Sequence, residues 1–189
     1  MADTPLRRIE RDRLDPKWQA AWDMLNGLTG EPTFIEAMAN APELLEFAMV
    51  EFYQKIFFGG RVDQKYKQLL RLRLSLAHGC RSCNLQNRAG MRDAGYTSEQ
   101  MEAIERDRSA FSEAEQAVLD FADEMILTNQ GGRLDKALYE RLHQHFDDAQ
   151  ICELAVVAGF IGGMAKMAFV LDLVEREATC PFVPASVAA

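Results

Sequence analysis

Apolar residues recur at spacings of three and four along almost the whole chain, which is the period of an amphipathic helix. The first such segment opens at Asp15-Pro16, places Trp18 and Trp22 on one face, and closes between Gly27 and Gly30. Val, Ile and Thr, which favour strands, are sparse. The pattern therefore predicts an all-α protein.

Start and stop signals predict where the helices lie. Polar residues paired with an acidic or amide residue three positions later predict capped helix starts at four places: Thr33/Glu36, Thr97/Gln100, Ser112/Glu115 and Asp147/Gln150. Glycine pairs at 59–60 and 131–132 predict helix ends. The resulting segments begin at Asp15, Thr33, Pro42, Asp63, Arg81, Thr97, Ser112, Leu134 and Asp147, and the last of them runs to about Glu175.

The segment from Asp63 to His78 is ambiguous, because its leucines alternate with arginine and serine as they would in a strand. Leu, Arg, Lys and Gln nevertheless favour helices, and Leu69, Leu72 and Leu76 also fit helical spacing. We predict a helix that Gly79 terminates, followed by a second helix from about Arg81 to Ala94.

No linker, repeat or low-complexity segment divides the chain, so we predict one structural domain. We expect residues 1–62 to form N-terminal helices that pack on a core of residues 63–177, and residues 178–189 to form an extended tail. The apolar stretch 154–174 has the length of a membrane span, but it contains Lys166 and Asp172. A buried central helix is the favoured interpretation.

The net charge of -8 and the isoelectric point near 5.0 argue against nucleic acid or an anionic membrane as partner, since both need a basic face. The first fifteen residues lack the apolar centre of a secretory signal, which predicts a cytoplasmic protein. Small molecules or other proteins remain as partners.

Four cysteines are too few for a disulfide scaffold in 189 residues, so the Cys80-Arg-Ser-Cys83 pair indicates redox chemistry or metal binding. The pair falls where one helix ends and the next begins, and a helix N-terminus stabilises a thiolate. A zinc site would need two more ligands, and no second CxxC occurs. Two chemically idle core cysteines are the remaining alternative. Cys152 is expected in the core and Cys180 as a bystander, and no cofactor or metal is predicted.

The run LLRLRLSLAHGCRSCNLQNRAGMRDAGYTSEQMEAI resembles the core of the alkylhydroperoxidase D and carboxymuconolactone decarboxylase family, in which a helix leads into CxxC and then into a second helix. The later segment, from Phe111 to Lys166, is similar to the same family's downstream helices. The resemblance covers roughly residues 63–174 and implies a helical bundle of the alkylhydroperoxidase D type.

The resemblance also implies residue roles. Cys83 would attack a hydroperoxide and Cys80 would resolve the product. The family's glutamate and histidine proton-relay positions are Gln68 and Asn87 here, and neither amide titrates. His78, Glu153 and Lys166 are candidates to assist, although a helix C-terminal residue favoured by the dipole is the preferred interpretation of His78.

Three functions follow from these observations. The first is a thiol-dependent oxidoreductase that acts on a small hydroperoxide or disulfide, with electrons from a lipoyl- or thioredoxin-like protein dithiol. The second is a non-redox enzyme of the decarboxylase branch, in which Arg71, Arg73 or Lys166 binds a carboxylate. The third is a helical assembly protein without catalysis. In each case the apolar helix faces predict a homo-oligomer.

Overall fold

The computed structural model describes residues 2–182, and all the regular elements in that range are helices, which confirms the all-α prediction. The α-helices are α1 (Pro16–Thr29), α2 (Thr33–Met38), α3 (Pro42–Glu46), α4 (Gln64–His78), α5 (Arg81–Asp93), α6 (Ser98–Ala103), α7 (Glu113–Glu124), α8 (Lys136–His143) and α9 (Asp148–Val170). A π-helix spans Phe47–Phe57, and 3-10 turns span Arg11–Arg13 and Arg108–Ala110.

Helix α4 is the centre of the fold and packs against α5, α7 and α9. Leu70 and Leu74 face a large core cluster formed with α7, α8 and α9, whereas Leu69 and Leu72 face a second cluster with α5 and α6. Because α4 is buried on two sides, its leucines cannot follow a single apolar stripe. This two-sided burial explains why a helix carries a strand-like alternation.

The third predicted helix, from Pro42 to the glycines at 59–60, is α3 continued by the wider turns of the π-helix. The π-helix is held by aromatic packing, in which the Phe52 ring stacks on Phe160 of α9 at 3.8 Å between centroids. Tyr53 lies edge-on to both Phe52 and Phe57. The segment forms one wall of the site described below.

The N-terminal helices close over the bundle, with Trp18 buried and the Trp22 indole N–H donating to Glu36 at 2.8 Å. The predicted Thr33/Glu36 cap is wrong: Thr33 is the first residue of α2, and its hydroxyl donates to Glu31 instead. The Glu36 carboxylate instead accepts hydrogen bonds from Trp22 and Arg8. The three other predicted caps are present as reciprocal capping boxes at α6, α7 and α9.

Three helices are shorter than predicted. Helix α7 ends at Glu124 and not at the glycines at 131–132, because the chain turns there and Leu127 N–H reaches His78. Helix α8 begins at Lys136, after its N-cap Asp135, and not at Leu134. Helix α9 ends five residues before Glu175, where Asp172 takes a left-handed conformation (φ 50°).

Helix α9 is long and apolar enough to cross a membrane by length and composition, and half of its most apolar window is buried inside the protein. Its inward face, which includes Leu154, Val157 and Ile161, belongs to the main core. Its outward face carries the exposed Val156 and Val170. Cys152 lies on the outward side and is exposed, so its expected place in the core is wrong.

The chain after α9 returns to the start of α5. Cys80 forms an isolated β-bridge with Arg176, and Glu177 N–H donates to Gly79 O at 2.8 Å. Residues 178–182 therefore turn back onto the fold and are not extended as predicted. The rest of the predicted tail, residues 183–189, lies outside the described residues.

Candidate active site

Cys80 and Cys83 are joined by a disulfide, with a Cα–Cα distance of 5.2 Å. Cys80 is the N-cap of α5, and its sulfur accepts a hydrogen bond from Cys83 N–H at 3.2 Å. Both sulfurs thus lie at the positive end of a helix, where a thiolate would be stabilised after reduction. Local sequence is sufficient for this arrangement, because Gly79 ends α4 in a left-handed conformation and α5 begins two residues later.

The two cysteines differ in accessibility. Cys80 is fully buried, whereas Cys83 is partly exposed, and both contribute to the wall of the same cavity. Of the two sulfurs, that of Cys83 is therefore the easier for a ligand to reach.

The returning chain covers the other side of the dithiol. Cys180 is buried in a cluster with Cys80 and Phe169, and its thiol donates to His78 O at 3.1 Å. A Cβ on Gly79 would lie 2.5 Å from Cys180 Cα, so only glycine permits this approach. The prediction that Cys180 takes no part in the site is therefore wrong, because Cys180 packs directly behind the dithiol.

A largely apolar cavity of about 470 Å³ opens in front of the dithiol. This volume lies within the range of small-molecule sites. Its walls come from α1, α2, the π-helix, α4, α5 and α9. The apolar part of the lining includes Met24, Leu25, Leu28, Phe34, Met49, Phe58, Ile161, Met164, Ala165 and Ala168.

The polar part of the lining comes mainly from α4 and α5. Helix α4 presents Gln68, Arg71, Ser75 and His78, which are spaced so that they share one face of the helix. Helix α5 presents Cys83, Asn87 and Gly90 among others, again on one face. The two stripes run side by side, with the dithiol at one end.

The two predicted relay positions lie on these facing stripes. The Asn87 amide donates to Ser75 Oγ at 2.8 Å and to Arg71 O at 3.4 Å. The Gln68 side chain lies against Gly90, so that a Cβ added to Gly90 would be 2.6 Å from the side-chain oxygen of Gln68. The side-chain oxygens of Gln68 and Asn87 are buried and have no hydrogen-bond partner within residues 2–182. The relay positions are thus brought into the cavity wall, but as neutral acceptors.

His78 is the last residue of α4, as predicted, but it is fully buried in the same wall. Burial, with a smaller contribution from Arg73, lowers the pKa of His78 to about 4. The imidazole is therefore neutral near pH 7, where it is a weak proton acceptor. Its Nε2 accepts from Leu127 N–H at 3.2 Å, which assigns the proton to Nδ1. That N–H has no partner in the described part of the chain.

Glu153 and Lys166 lie away from the cavity lining. Glu153 forms a buried ion pair with Lys67 at 3.0 Å and accepts from the backbone N–H groups of Arg61 and Val62. Glu153 therefore holds the loop between the π-helix and α4 in place. Lys166 is exposed, with its ammonium 5.2 Å from the centre of the Phe182 ring. The structure does not bring either residue to the dithiol.

Of the three cations considered for binding a carboxylate, only Arg71 lines the cavity. Arg73 points to another side of α4 and is paired with Asp123 at 2.6 Å and with Glu105 at 3.4 Å. His143 is exposed near Asp148, and no group of three potential metal ligands occurs among the described residues.

Sequence reasoning missed the apolar wall and the covering role of Cys180. The wall residues come from helices distant in sequence, and nothing in their local pattern separates cavity lining from core. The chain returns to the dithiol after Asp172, whose left-handed conformation was not predicted from the local sequence.

A dithiol at a helix N-terminus, inside an all-helical bundle, defines the class: a helical protein of the alkylhydroperoxidase D type. Residues 42–124 match the carboxymuconolactone decarboxylase family model. The resemblance found in the sequence is thereby confirmed.

Known proteins of similar sequence or fold agree with this assignment. The Bacillus subtilis protein YdfG, which is uncharacterised, is 22% identical over 134 residues, or 69% of this chain and 88% of its own. The debrominase Bmp8, solved as an alanine variant with 2,3,4-tribromopyrrole, has 18% identity and a TM-score of 0.72 over 93% of each chain. A peroxidase-related protein from Ralstonia eutropha has 16% identity and a TM-score of 0.71 over 90% of each chain. At these identities the solved structures show a shared fold.

Proposed function

We propose that the protein is a thiol-dependent oxidoreductase that reduces a small electrophile, a hydroperoxide or a disulfide, through the Cys80/Cys83 dithiol. One observation carries this proposal: the partly exposed Cys83 and the buried Cys80 share a helix N-terminus at the wall of an apolar cavity. The accessible sulfur is suited to attack and the buried one to resolution.

With a hydroperoxide, the Cys83 thiolate attacks the terminal oxygen, the O–O bond breaks, and the departing alkoxide takes up a proton to leave as an alcohol. Cys83 is then a sulfenic acid. The Cys80 thiol attacks that sulfur, the disulfide forms, and water leaves. A protein dithiol of the lipoyl or thioredoxin kind then reduces the disulfide and is itself oxidised.

The chain's own residues supply part of what this reaction needs. The start of α5 stabilises the thiolate, and the apolar lining limits water around it. His78 Nδ1–H offers a neutral hydrogen-bond donor in the wall. Gln68 and Asn87 offer no proton, so the reaction proceeds without the carboxylate and imidazole relay of the family and is slow.

A thiol titration before and after one equivalent of an organic hydroperoxide tests the proposal. We expect loss of two thiols per chain in the reduced wild-type protein, no fast loss in Cys83→Ser, and a trapped sulfenic acid in Cys80→Ser. Cys152→Ser is the matched control, because that thiol is exposed and lies outside the cavity lining. Four unreacted thiols in the wild-type protein would exclude the proposal, and the reverse pattern of the two variants would exchange the roles of the cysteines.

Two alternatives give different results in the same assay. A non-redox enzyme of the decarboxylase branch, or an assembly protein, would retain its thiols with every electrophile. Thiol-dependent removal of halogen from an aromatic ring is a second candidate function, because the cavity is largely apolar and the debrominase Bmp8 shares the fold. A bromopyrrole probe therefore belongs in the same titration.

A further inference from the structure

Arg71 is a buried cation at the wall of an apolar cavity. Its side chain is on the inner face of α4, only 6% of the residue is exposed, and it lines the cavity together with the dithiol. Its guanidinium forms no hydrogen bond or ion pair with any group in residues 2–182. Five N–H donors are thus left without a protein acceptor, although a buried charge normally has a partner.

Aromatic rings hold the guanidinium in place. Its carbon lies 5.3 Å from the centre of the Tyr53 ring and 5.2 Å from that of Phe57, at cation–π distance. Both rings belong to the π-helix. They position the planar cation but accept none of its hydrogen bonds in the plane, so its edge remains available to a ligand.

The carboxylates around the cavity do not neutralise Arg71. Glu31 lines the same cavity, but its oxygens accept from Ala2 N–H at 2.7 Å, from Thr33 N–H at 3.4 Å and from the Thr33 hydroxyl. Asp93 lies near the exposed C-terminal end of α5. Neither forms an ion pair with Arg71, so its guanidinium is unpaired within the described residues.

We infer that the cavity binds a carboxylate with an apolar body, and that Arg71 holds the carboxylate while the reactive group of the ligand meets Cys83. A guanidinium binds a carboxylate through two parallel hydrogen bonds, which fits an acid better than a neutral polar group. The inference deepens the proposed function and rests on it for the reaction, but the binding itself does not require thiol chemistry.

The spacing of the site sets the length of the ligand. Asn87 contacts the backbone of Arg71, and Cys83 lies one helical turn before Asn87 on α5. Arg71 lies seven residues before His78 on α4, or about 10 Å along the helix axis. The carboxylate and the reactive atom of the ligand are therefore separated by about 6–10 Å. The free acceptors of Gln68 and Asn87, which also line the cavity, suit a ligand with a hydroxyl or N–H between its ends.

Calorimetric titration of the oxidised protein tests the binding step without any reaction. The probes are 4-phenylbutyrate and its neutral amide, which have nearly the same shape. We expect the acid to bind wild type at least about 10-fold more tightly than the amide, the range of a charge-assisted hydrogen bond. In Arg71→Gln the two affinities should become equal through loss of acid binding. Arg71→Lys should keep part of the preference, because it retains the charge but not the two-pronged geometry.

Arg73→Gln is the matched control, since it removes the same charge from the same helix outside the cavity, and it should keep the wild-type ratio. Equal affinities in wild type, or a preference for the acid that survives Arg71→Gln, would overturn the inference. A thermal melt monitors folding. If Arg71→Gln does not fold, the inference is tested by the ratio of acid to amide affinity in wild type and in Arg71→Lys. Preference for the acid in a protein that never loses thiols to peroxide would leave the carboxylate site standing and remove the proposed oxidoreductase.

Discussion

The ammonium of Lys67 lies 3.0 Å from the carboxylate of Glu153, and both side chains are almost completely buried. Lys67 also donates to Ile56 O, and Glu153 accepts from two backbone N–H groups in the loop before α4. The pair therefore joins α4, α9 and the end of the π-helix. Because those elements form walls of the cavity, the geometry of the site depends on an ion pair that takes no part in its chemistry.

This ion pair predicts acid lability. Burial favours the neutral form of Glu153, but the hydrogen bonds from Arg61 N–H, Val62 N–H and Lys67 outweigh it and lower the pKa of the carboxyl below its usual value. A lowered pKa in the folded state stabilises the protein above the unfolded pKa of about 4.3, and that contribution is lost as the pH falls through the folded value. Thermal melts between pH 7 and pH 3 should show a smaller acid-induced loss in Glu153→Gln than in wild type.

At pH 7 the same substitution should destabilise the protein by about 3–5 kcal/mol, because it leaves the Lys67 ammonium buried without its partner. The matched control is Glu51→Gln, which breaks the exposed pair with Lys55 and should cost only about 0.3–0.5 kcal/mol. Similar losses in the two variants would contradict a special role for the buried pair.

Gly79 predicts a link between stability and the cover over the dithiol. Gly79→Ala puts a side chain at φ 66° and within 2.5 Å of Cys180 Cα, so we expect a loss of about 1–3 kcal/mol and a displaced chain at 176–182. Cys180 should then react with a thiol reagent that leaves it untouched in wild type. Gly27→Ala is the control: it lies in α1 with open space around it and should be neutral or stabilising by about 0.5–1 kcal/mol. A protected Cys180 in Gly79→Ala would show that the cover is held by other contacts.

Restoring the relay residues should increase activity. The double change Gln68→Glu with Asn87→His supplies a carboxylate and an imidazole on facing helices, and general acid–base assistance is worth about 10²- to 10⁴-fold. We expect turnover of a small organic hydroperoxide to rise toward that range, with a pH optimum near the imidazole pKa of about 6.5. Each single change should give less than the pair, because the carboxylate orients the imidazole.

Folding of the relay variants is monitored by thermal melt, since Gln68 and Asn87 are both buried. Brisk turnover by wild type would mean that another proton carrier operates. A well-folded double variant that stays inert would favour the non-redox alternative over the oxidoreductase.

The outward face of α9 predicts a homo-oligomer. Val156 and Val170 are 55% and 70% exposed on a helix whose other face is core, and apolar faces of this kind are usually covered by a partner. Light scattering should give a mass above 21.3 kDa for wild type and a lower mass for Val156→Asp with Val170→Asp. Leu134→Asp, at an exposed leucine outside α9, should leave the mass unchanged. A monomeric wild type at micromolar concentration would contradict this prediction.

The chain's local signals predicted the helices and the position of the dithiol well, because each depends on neighbours in sequence. Ser112 and Asp147 begin their helices as predicted, and Cys80 caps α5 as its place after Gly79 suggested. Errors arose where a tertiary contact overrides a local preference. Thr33 donates to Glu31 and does not cap α2, and Cys152 falls on the outward face of α9 although its neighbours Ile151 and Leu154 are core.

The polar stripe of α4 illustrates the limit for the site. Arg71 and Arg73 are equivalent by sequence, being two arginines among leucines, yet one lines the cavity and the other is paired on another side of the helix. The direction of each side chain depends on which neighbours pack around α4, and those neighbours are up to about a hundred residues away in sequence. The lack of a partner for Arg71 can therefore be seen only in three dimensions.

The family match at residues 42–124 contains the dithiol and the whole of α4 and α5, but not the whole cavity. Met24, Leu25 and Leu28 come from before that segment, and Met164 and Ala168 come from well after it. The reactive sulfurs and Arg71 are thus encoded in one stretch of the gene, and much of the apolar lining in two others. Substitutions in the flanking helices can change which molecule is admitted while the reactive sulfurs stay as they are, so relatives with the same dithiol can diverge in substrate without rebuilding their chemistry.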